Sequence, residues 1–307
     1  MAAAKTDAVE QNPNAGARGD ADPSEIGRLI VQCSDQPGIV STVSGVLAQF
    51  GANIVSLDQH STDPSGGRFF QRTEFHLAHL SARRAELESV LEARVGEPYE
   101  AEWSLASPAR RKRVAIMVSK TDHCLLELLW RQRRGELPID IVMVISNHST
   151  LADDVRAFGI PFVHIAVDSS DKTAAERAQL ELLRGNVDLV VLARYMQIIS
   201  ENFLERVGAP VINIHHSFLP AFVGAGPYQK ARDRGVKMIG ATAHYVTADL
   251  DEGPIIEQDV VRVDHGHSAQ ELQRRGADVE RRVLARAVEW HCDDRVLRHD
   301  NLTVVFD

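Results

Sequence analysis

The chain has 307 residues, of which 44% are hydrophobic, so it is long and apolar enough for two domains with packed cores. Its formal net charge of −9 gives no general attraction to nucleic acid or anionic membranes, and no apolar run reaches the roughly 18 residues of a membrane helix. The three cysteines are far apart without metal-binding spacing, which predicts reduced thiols in a cytoplasmic protein.

Residues 1–25 are rich in alanine, aspartate, asparagine and glycine and show no hydrophobic periodicity. This composition predicts a disordered tail. The segment also lacks the charged and apolar regions of a secretory signal, in agreement with the predicted cytoplasmic location.

Residues 26–106 predict the order βαββαβ. Apolar residues alternate or recur at helical spacing, which predicts strands at 29–33, 54–61, 68–77 and 99–105 and helices from Ile39 and over 81–95. The pattern is similar to the ferredoxin-like ACT domain, a small amino-acid-sensing module. The resemblance implies an effector site at Asp35, Gly38 and Asn53, usually across a subunit interface, with methionine or glycine as candidate effectors. It also implies a homo-oligomer, and a purely oligomerising role is the alternative.

Residues 107–112 form a basic linker, and strands and helices alternate over 113–307. Alternation predicts a doubly wound, mostly parallel, Rossmann-like α/β domain. Two capping boxes, Thr173 with Glu176 and Ser268 with Glu271, predict helix starts. The predicted strands are 114–118, 139–145, 162–165, 187–192, 238–246 and 255–263, the other helices are 121–134, 151–158 and 228–235, and a hairpin is predicted at 295–297 and 302–306.

A short β-branched run, Val211-Ile212, predicts a buried strand that continues to Asn213 and His215. Side chains alternate along a strand, so Asn213 and His215 share one face. A long irregular loop follows, as is typical of sites at the carboxyl ends of strands in open α/β sheets. An amide and an imidazole placed there can donate a hydrogen bond and exchange a proton.

The second half of this constellation follows about thirty residues later, at His244 and an acidic turn containing Asp249, Asp251 and Glu252. The motifs N-I-H-x-S-x-L-P and H-x-V-x-x-x-x-D-x-G-P resemble the folate-dependent formyltransferase superfamily, most closely its formyltetrahydrofolate deformylase family. The resemblance implies that Asn213 stabilises charge on a formyl oxygen. It also implies that His215 protonates the departing nitrogen and that Asp251 orients His215 and takes a proton from water.

The same resemblance implies hydrolysis of 10-formyltetrahydrofolate to formate and tetrahydrofolate, which supplies formate for purine synthesis and balances the one-carbon folate pools. Folate is then the substrate, and neither a cofactor nor a metal is expected. The implied folate contacts are main-chain groups or apolar side chains of Met196, Gln197, Ile198, Ile199, Val246 and Thr247. For Met196 and Ile198, ordinary core packing is the alternative.

The nature of the acceptor separates hydrolase from transferase. The resemblance implies that transferases with a phosphate-bearing amine acceptor hold the phosphate at a glycine-rich turn after the first strand of the domain, at a helix N-terminus. Residues 118–123 contain no glycine there, and Asp122 adds a negative charge, so water is the favoured acceptor. A phosphoribosylglycinamide formyltransferase and an amino-acid-sensing regulator with an inert catalytic domain are the alternatives.

Two residues depart from the pattern of the family. Gly226 stands where a bulkier residue is expected in the loop before residue 227, and Gln197 stands where relatives often carry arginine. The first change predicts altered substrate access. The second predicts the loss of any side-chain contact to the folate glutamate tail.

Overall fold

A computed structural model describes residues 22–63, 65–168, 171–220 and 227–307. Residues 1–21 of the predicted disordered tail lie outside the described residues. Its last part was assigned wrongly, because Pro23–Glu25 form a 3-10 helix. The main-chain carbonyl of Glu25 accepts a hydrogen bond of 2.8 Å from Leu77 N, so the ordered domain begins before residue 26.

The N-terminal domain is a four-stranded antiparallel sheet with helices packed on one face, in the order β2-β3-β1-β4. A π-helical turn at Glu92–Gly96 interrupts the predicted second helix. The elements are β1 Ile26–Ser34, α1 Ile39–Gln49, β2 Asn53–Ser61, β3 Arg68–His76, α2 Leu80–Leu91, α3 Glu97–Tyr99 and β4 Glu102–Ala106.

Helix α1 shows why this domain folds as predicted. Gly38 precedes it with φ of 101°, a left-handed conformation that glycine adopts without steric cost. Ile39, Val43, Val46 and Leu47 are buried on one side of the helix. Their spacing places them in the core with Leu29 and Val31 of β1 and other apolar residues of the sheet.

The C-terminal domain is a seven-stranded sheet in the order β11-β10-β9-β8-β5-β6-β7. Strands β9, β8, β5, β6 and β7 pair in parallel, whereas β10 is antiparallel to both neighbours. The elements are β5 Lys112–Val118, α4 His123–Arg133, β6 Ile139–Ser146, α5 Ala152–Arg156, β7 Phe162–His164, α6 Lys172–Leu183, β8 Leu189–Leu192, α7 Glu201–Val207, β9 Val211–His215, α8 Pro227–Asp233, β10 Met238–Tyr245, β11 Ile255–Arg262, α9 Ala269–Cys292, β12 Val296–His299 and β13 Leu302–Val305.

This arrangement confirms the predicted α/β fold with a mostly parallel central sheet. Apolar clusters cover both faces of the sheet. One cluster is formed with α4 and α9, and the other with α6 and α7. The chain builds β5, β6 and β7 outward in one direction and then returns to place β8 and β9 on the other side of β5. Such a reversal opens a crevice at the carboxyl ends of the strands.

Some local predictions were wrong. Helix α7 was not predicted, because seven residues are too few for a clear helical period. Thr173 does not cap α6, since Asp171 accepts the hydrogen bond from Ala174 N. Glu176, the expected partner of Thr173, instead accepts hydrogen bonds from Ser200 N and Oγ. By contrast, the capping box of Ser268 and Glu271 at the start of α9 is confirmed.

The two sheets are joined by packing as well as by the linker. Strand β5 begins at Lys112, so the linker is one residue shorter than predicted. Arg28 on β1 lies 3.2 Å from Asp293 Oδ1 and 3.7 Å from Asp294 Oδ2, beyond the end of α9. Leu297 of the predicted C-terminal hairpin packs against Ile30 and Phe70 on the outer face of the N-terminal sheet. Among the described residues, none of the helices has the length and apolar character needed to cross a membrane.

Candidate active site

The central strand β9 positions two of the predicted catalytic side chains. Val211 and Ile212 are buried, and the strand ends at His215, of which 7% is exposed. Strand β10 runs antiparallel beside it, with His244 opposite Asn213 and Thr242 opposite His215. Directly opposed side chains on one face of a sheet are neighbours, so His244 joins Asn213 at this edge.

Asp251 is brought to the same place by the turn that follows β10. Its φ of 59° is in the left-handed region, which aspartate tolerates better than most residues. Gly253 makes the turn possible, because a Cβ there would collide with the carbonyl of Tyr245. Tyr245 N donates to the carbonyl of Pro254 at 2.9 Å and fixes the return of the chain.

The side chains of Asn213, His215, His244 and Asp251 are linked by polar contacts and form the catalytic set. His215 Nδ1 lies 3.2 Å from Asp251 Oδ2, and Asn213 Nδ2 lies 3.2 Å from His244 Nε2. His244 Nδ1 is 2.9 Å from the carbonyl of Tyr245, so that nitrogen carries the proton and Nε2 accepts from Asn213. The contact from His244 Nε2 to Asp251 Oδ1 is longer, at 3.7 Å. One of the two amide hydrogens of Asn213 therefore stays available.

The electrostatics of the set favour an ionised Asp251. The hydrogen bond from His215 holds the pKa of the Asp251 carboxyl well below its usual range. His215 Nδ1–H is directed at that carboxylate, whereas His215 Nε2 is buried and has no hydrogen-bond partner among the described residues. The imidazole is thus held on one side and free to exchange a proton on the other.

A cavity of about 460 Å³ lies directly beside these groups. All of the predicted folate-contacting residues line it, together with Asn213, His215, His244 and Asp251. Met196 and Ile198 are 59% and 64% exposed, so core packing is the wrong interpretation for both. One detail differs from the prediction, since Met196 N already donates to Ser119 Oγ at 2.9 Å. Gly226 lies outside the described residues.

Two residues of the site, His244 and Arg194, were not given a role from the sequence, whereas His216 was expected as a packing or supporting group. His244 appeared only as part of a motif, and its contact with Asn213 depends on the pairing of β9 with β10. Arg194, with φ of 64°, and His216 also line the cavity. The ring of His216 packs against that of His215, with 5.2 Å between centroids. A charged residue in the otherwise apolar run before residue 199 was the available signal for Arg194.

Two histidines outside the catalytic set predict a pH dependence of stability. Burial, with Arg194 nearby, lowers the pKa of His216 to about 4, and burial with Lys112 nearby does the same for His291. The unfolded chain binds these protons first, so stability is lost as pH falls from about 6.5 towards 4. We expect roughly 2 kcal/mol per histidine between pH 6.5 and 5.

Urea unfolding at several pH values measures this loss. His216→Gln and His291→Gln should each make the free energy of unfolding less dependent on pH in that range. His265→Gln, at an exposed position, controls for the substitution itself. An unchanged slope in both buried variants would contradict the prediction. Carboxylates with a lowered pKa, such as that of Asp251, change the free energy of unfolding only at lower pH. They therefore do not obscure the effect of the two histidines.

The predicted effector residues are not gathered in one place within one chain. Asp35 follows β1, accepts a hydrogen bond from Ser61 Oγ at the end of β2, and lies near Gly38 at the start of α1. Asn53 begins β2 and pairs with His76. Nine strand residues separate the two ends of β2 by roughly 26 Å. A single site with all three residues would need Asn53 from another chain.

One group of side chains has the composition of a metal site. His123, Cys124 and Glu280 place one ligand-type atom each within 4.8 Å of one another. Burial raises the pKa of Cys124 well above its usual value, so its thiol keeps its proton. Glu280 accepts hydrogen bonds on both oxygens, and Arg194 Nη1 lies 3.5 Å from one of them. A guanidinium repels a cation at that distance, so the group is better explained as an internal ion cluster.

Comparison with known proteins agrees with this architecture. An ACT domain model matches residues 27–92, and a formyl transferase model matches residues 112–288. The formyltetrahydrofolate deformylase of Mycobacterium tuberculosis is 62% identical over 283 residues, which cover 92% of this chain and 91% of that protein. That of Bacillus subtilis is 52% identical and covers 92% and 94%.

Solved structures give the same result. A formyltetrahydrofolate deformylase from Pseudomonas syringae superimposes with a TM-score of 0.86 at 46% identity, covering 92% of this chain and 94% of that one. Glycinamide ribonucleotide transformylase 1 from Symbiobacterium toebii reaches 0.60 at 32% identity and covers only 64% of this chain. Fold and site together define a formyltransferase-type domain preceded by an ACT domain. The chain belongs to the formyltetrahydrofolate deformylase family.

Proposed function

We propose that this hydrolase converts 10-formyltetrahydrofolate and water into formate and tetrahydrofolate, and so supplies formate for purine synthesis and balances the one-carbon folate pools. The observation that carries the proposal is the state of His215. Its Nδ1 is held by an ionised Asp251 at 3.2 Å, while its buried Nε2 is free of protein partners within the described structure. An imidazole held in this way can take a proton from water and return it to a leaving nitrogen.

The proposed steps begin with water attacking the formyl carbon. His215 Nε2 takes a proton from that water as the new C–O bond forms. The tetrahedral intermediate then breaks its bond from carbon to the folate nitrogen, and His215 returns the proton to that nitrogen. We assign the base to His215 rather than to Asp251, because the strongly lowered pKa of Asp251 makes it a weak base. Asp251 instead orients the ring and stabilises its protonated form.

Asn213 supplies the donor for the charge that develops on the formyl oxygen. Its amide has two N–H hydrogens, one directed at His244 Nε2 and one available to the substrate. His244 is itself fixed by the carbonyl of Tyr245. A donor held before the reaction needs no rearrangement in the transition state, which is why such donors are effective.

The cavity fits a folate in size and character. Its volume of about 460 Å³ is in the range of small-molecule sites. Exposed apolar side chains, Met196 and Ile198, are available to cover a flat ring. Ile199, Val246 and Thr247 complete the slot, and Gln197 stands beside it.

Release of formate is the direct test. Purified protein is incubated with 10-formyltetrahydrofolate without any amine, and formate and tetrahydrofolate are measured together in equal amounts. Formate release that requires added glycinamide ribonucleotide would instead favour a phosphoribosylglycinamide formyltransferase. Absence of turnover with retained amino-acid binding would favour a regulator with an inert catalytic domain.

For the ACT domain, we propose an amino-acid effector, methionine or glycine, bound at the turn of Asp35 and Gly38. Asn53 would come from a second subunit of a homo-oligomer, because the two ends of β2 lie far apart. A cytoplasmic location agrees with the three buried, free cysteines. Calorimetric titration with each amino acid tests the site, and an unchanged response in Asp35→Ala would refute the assigned turn.

A further inference from the structure

The C-terminal hairpin, formed by β12 and β13, contacts both the N-terminal sheet and the catalytic turn, which is the turn between β10 and β11 that carries Asp251. His299 pairs with Leu302 at the end of the hairpin, so Asp300 and Asn301 form its two-residue tip. Strand β13 lies beside β11, which begins where the catalytic turn ends. The steps of the proposed hydrolysis use none of the hairpin residues directly.

The hairpin holds the catalytic turn at two points. Asn301 Nδ2 donates to the carbonyl of Glu252 at 2.9 Å, and Thr303 Oγ1 donates to the carbonyl of Ile255 at 2.6 Å. Glu252 directly follows Asp251, and Ile255 is the first residue of β11. Both hydrogen bonds therefore fix the main chain on the C-terminal side of the catalytic carboxylate.

The catalytic turn depends on such contacts because of its backbone conformation. Asp251 has a φ of 59°, and a residue other than glycine stays in the left-handed region only where the surrounding contacts hold it there. Before the turn, Tyr245 N donates to the carbonyl of Pro254. Arg298 of β12 lies over the ring of Tyr245, with 4.8 Å to its centroid. The hairpin thus contacts both the turn and the residue against which the turn packs.

The hairpin is also seated on the N-terminal domain. Leu297 is only 3% exposed and packs against Ile30 and Phe70. The ring of His299 contacts that of Phe70, with 5.7 Å between centroids. Ile30 and Phe70 belong to β1 and β3, so the seat of the hairpin is part of the N-terminal sheet and not of the catalytic domain.

From this arrangement we propose that the hairpin positions Asp251, with Asn301 and Thr303 holding the catalytic turn and the N-terminal sheet supporting the hairpin. The inference rests on the proposed hydrolysis and adds two positioning residues to it. Asp251 must stay close to His215 Nδ1, at 3.2 Å in the structure, for the imidazole to act as the base. The N-terminal domain therefore contributes to catalysis through the hairpin, although none of its described residues lines the cavity.

The first test removes both hydrogen bonds of the hairpin. Asn301→Ala/Thr303→Val is expected to lower kcat for formate release roughly tenfold and to keep KM within about twofold, because a small displacement of Asp251 slows catalysis while the folate slot stays intact. An unchanged kcat overturns the proposal. If the double variant does not fold, Asn301→Ala, at an exposed position, replaces it with the same expected direction.

Asn186→Ala is the matched control for the loss of the amide. Asn186 Nδ2 also donates to a main-chain carbonyl at 2.9 Å, at an exposed position of the same domain. Its kcat should stay within about twofold of wild type. An equal loss of kcat in Asn186→Ala and Asn301→Ala overturns the proposal, because the effect would then not be specific to the catalytic turn.

A double-mutant cycle tests whether the loss depends on Asp251. The two hairpin substitutions are added to Asp251→Asn, and single turnovers are measured with enzyme in excess. A positioning role predicts a further loss of less than about twofold, because the carboxylate to be positioned is already absent. An equal loss in both backgrounds would mean that the domain is loosened in general, and it overturns the proposal.

Two histidines that contact the same phenylalanine test the support from the N-terminal sheet. His299→Ala removes the contact of the hairpin with Phe70, and we expect kcat to fall roughly threefold or more. His60→Ala is the control, because the ring of His60 also stacks on Phe70, at 6.5 Å, but belongs to β2. Equal kcat values in the two variants would overturn the supporting role of the N-terminal sheet.

The hydrogen bond between His215 and Asp251 can also be followed without turnover. In protein with isotopically labelled histidine, NMR detects the Nδ1 proton of His215, which is assigned with His215→Gln. This proton should exchange with water faster in Asn301→Ala/Thr303→Val than in wild type, because a loosened turn opens more often. Unchanged exchange overturns the proposal even where wild type releases no formate. Absence of formate release from wild type refutes the proposed hydrolysis, which is a separate result.

Discussion

Asp251→Asn is expected to lower kcat/KM for formate release by roughly 10³- to 10⁴-fold, the loss seen when the carboxylate that orients a catalytic histidine becomes an amide. In the wild-type protein His215 Nδ1 donates to Asp251 Oδ2, so Nε2 is the nitrogen that serves as the base. An asparagine side chain can donate to Nδ1, which places the imidazole proton on Nε2 and removes the base. The measurement is the initial rate of formate release at several substrate concentrations.

Asp249→Asn is the matched control, because Asp249 belongs to the same acidic turn but is exposed. The control should keep its rate within about twofold, since an exposed charge contributes little. Equal losses in both variants would mean that the turn, rather than the carboxylate, matters for activity.

The central strand was the most predictable part of the site. The run Val211-Ile212 is β-branched and apolar, and alternation along a strand then places Asn213 and His215 on one face. Both statements depend only on neighbouring residues. Asp251 could be expected at the site from its motif, but its left-handed conformation and the need for Gly253 depend on the packing against Tyr245.

The remaining features of the site depend on contacts between residues that are distant in the sequence. His244 meets Asn213 through the register of two strands. His123 and Glu280 are separated by 157 positions, and neither residue type alone indicates that they touch. The proposed effector site stays a prediction, because Asp35 and Asn53 lie at opposite ends of β2 and would meet only across a subunit interface.

The lowered pKa of Asp251 also changed the expected chemistry. The motif alone allowed Asp251 to take a proton from water. In the structure the hydrogen bond from His215 holds the pKa of the Asp251 carboxyl well below its usual range, which favours His215 as the proposed base. The assignment of the base therefore followed from a contact of 3.2 Å, which only the folded chain provides.

Asn213→Ala is expected to lower kcat by about 10²- to 10³-fold with little change in KM. Loss of one donor to a developing oxyanion typically costs roughly 2.7–4 kcal/mol. The charge on the formyl oxygen develops in the transition state, so the ground-state complex should lose much less. Steady-state kinetics of formate release give both constants. Asn186→Ala, at an exposed turn of the same domain, controls for the loss of an amide.

The amide of Asn213 has two contacts to lose, so a double-mutant cycle must separate them. If Asn213 acted only by holding His244 Nε2 at 3.2 Å, then adding Asn213→Ala to a His244→Ala protein would cause no further loss. Direct donation to the substrate predicts that most of the loss in kcat persists in the His244→Ala background. Retention of full activity in Asn213→Ala would remove the amide from the mechanism and leave the developing charge without its donor.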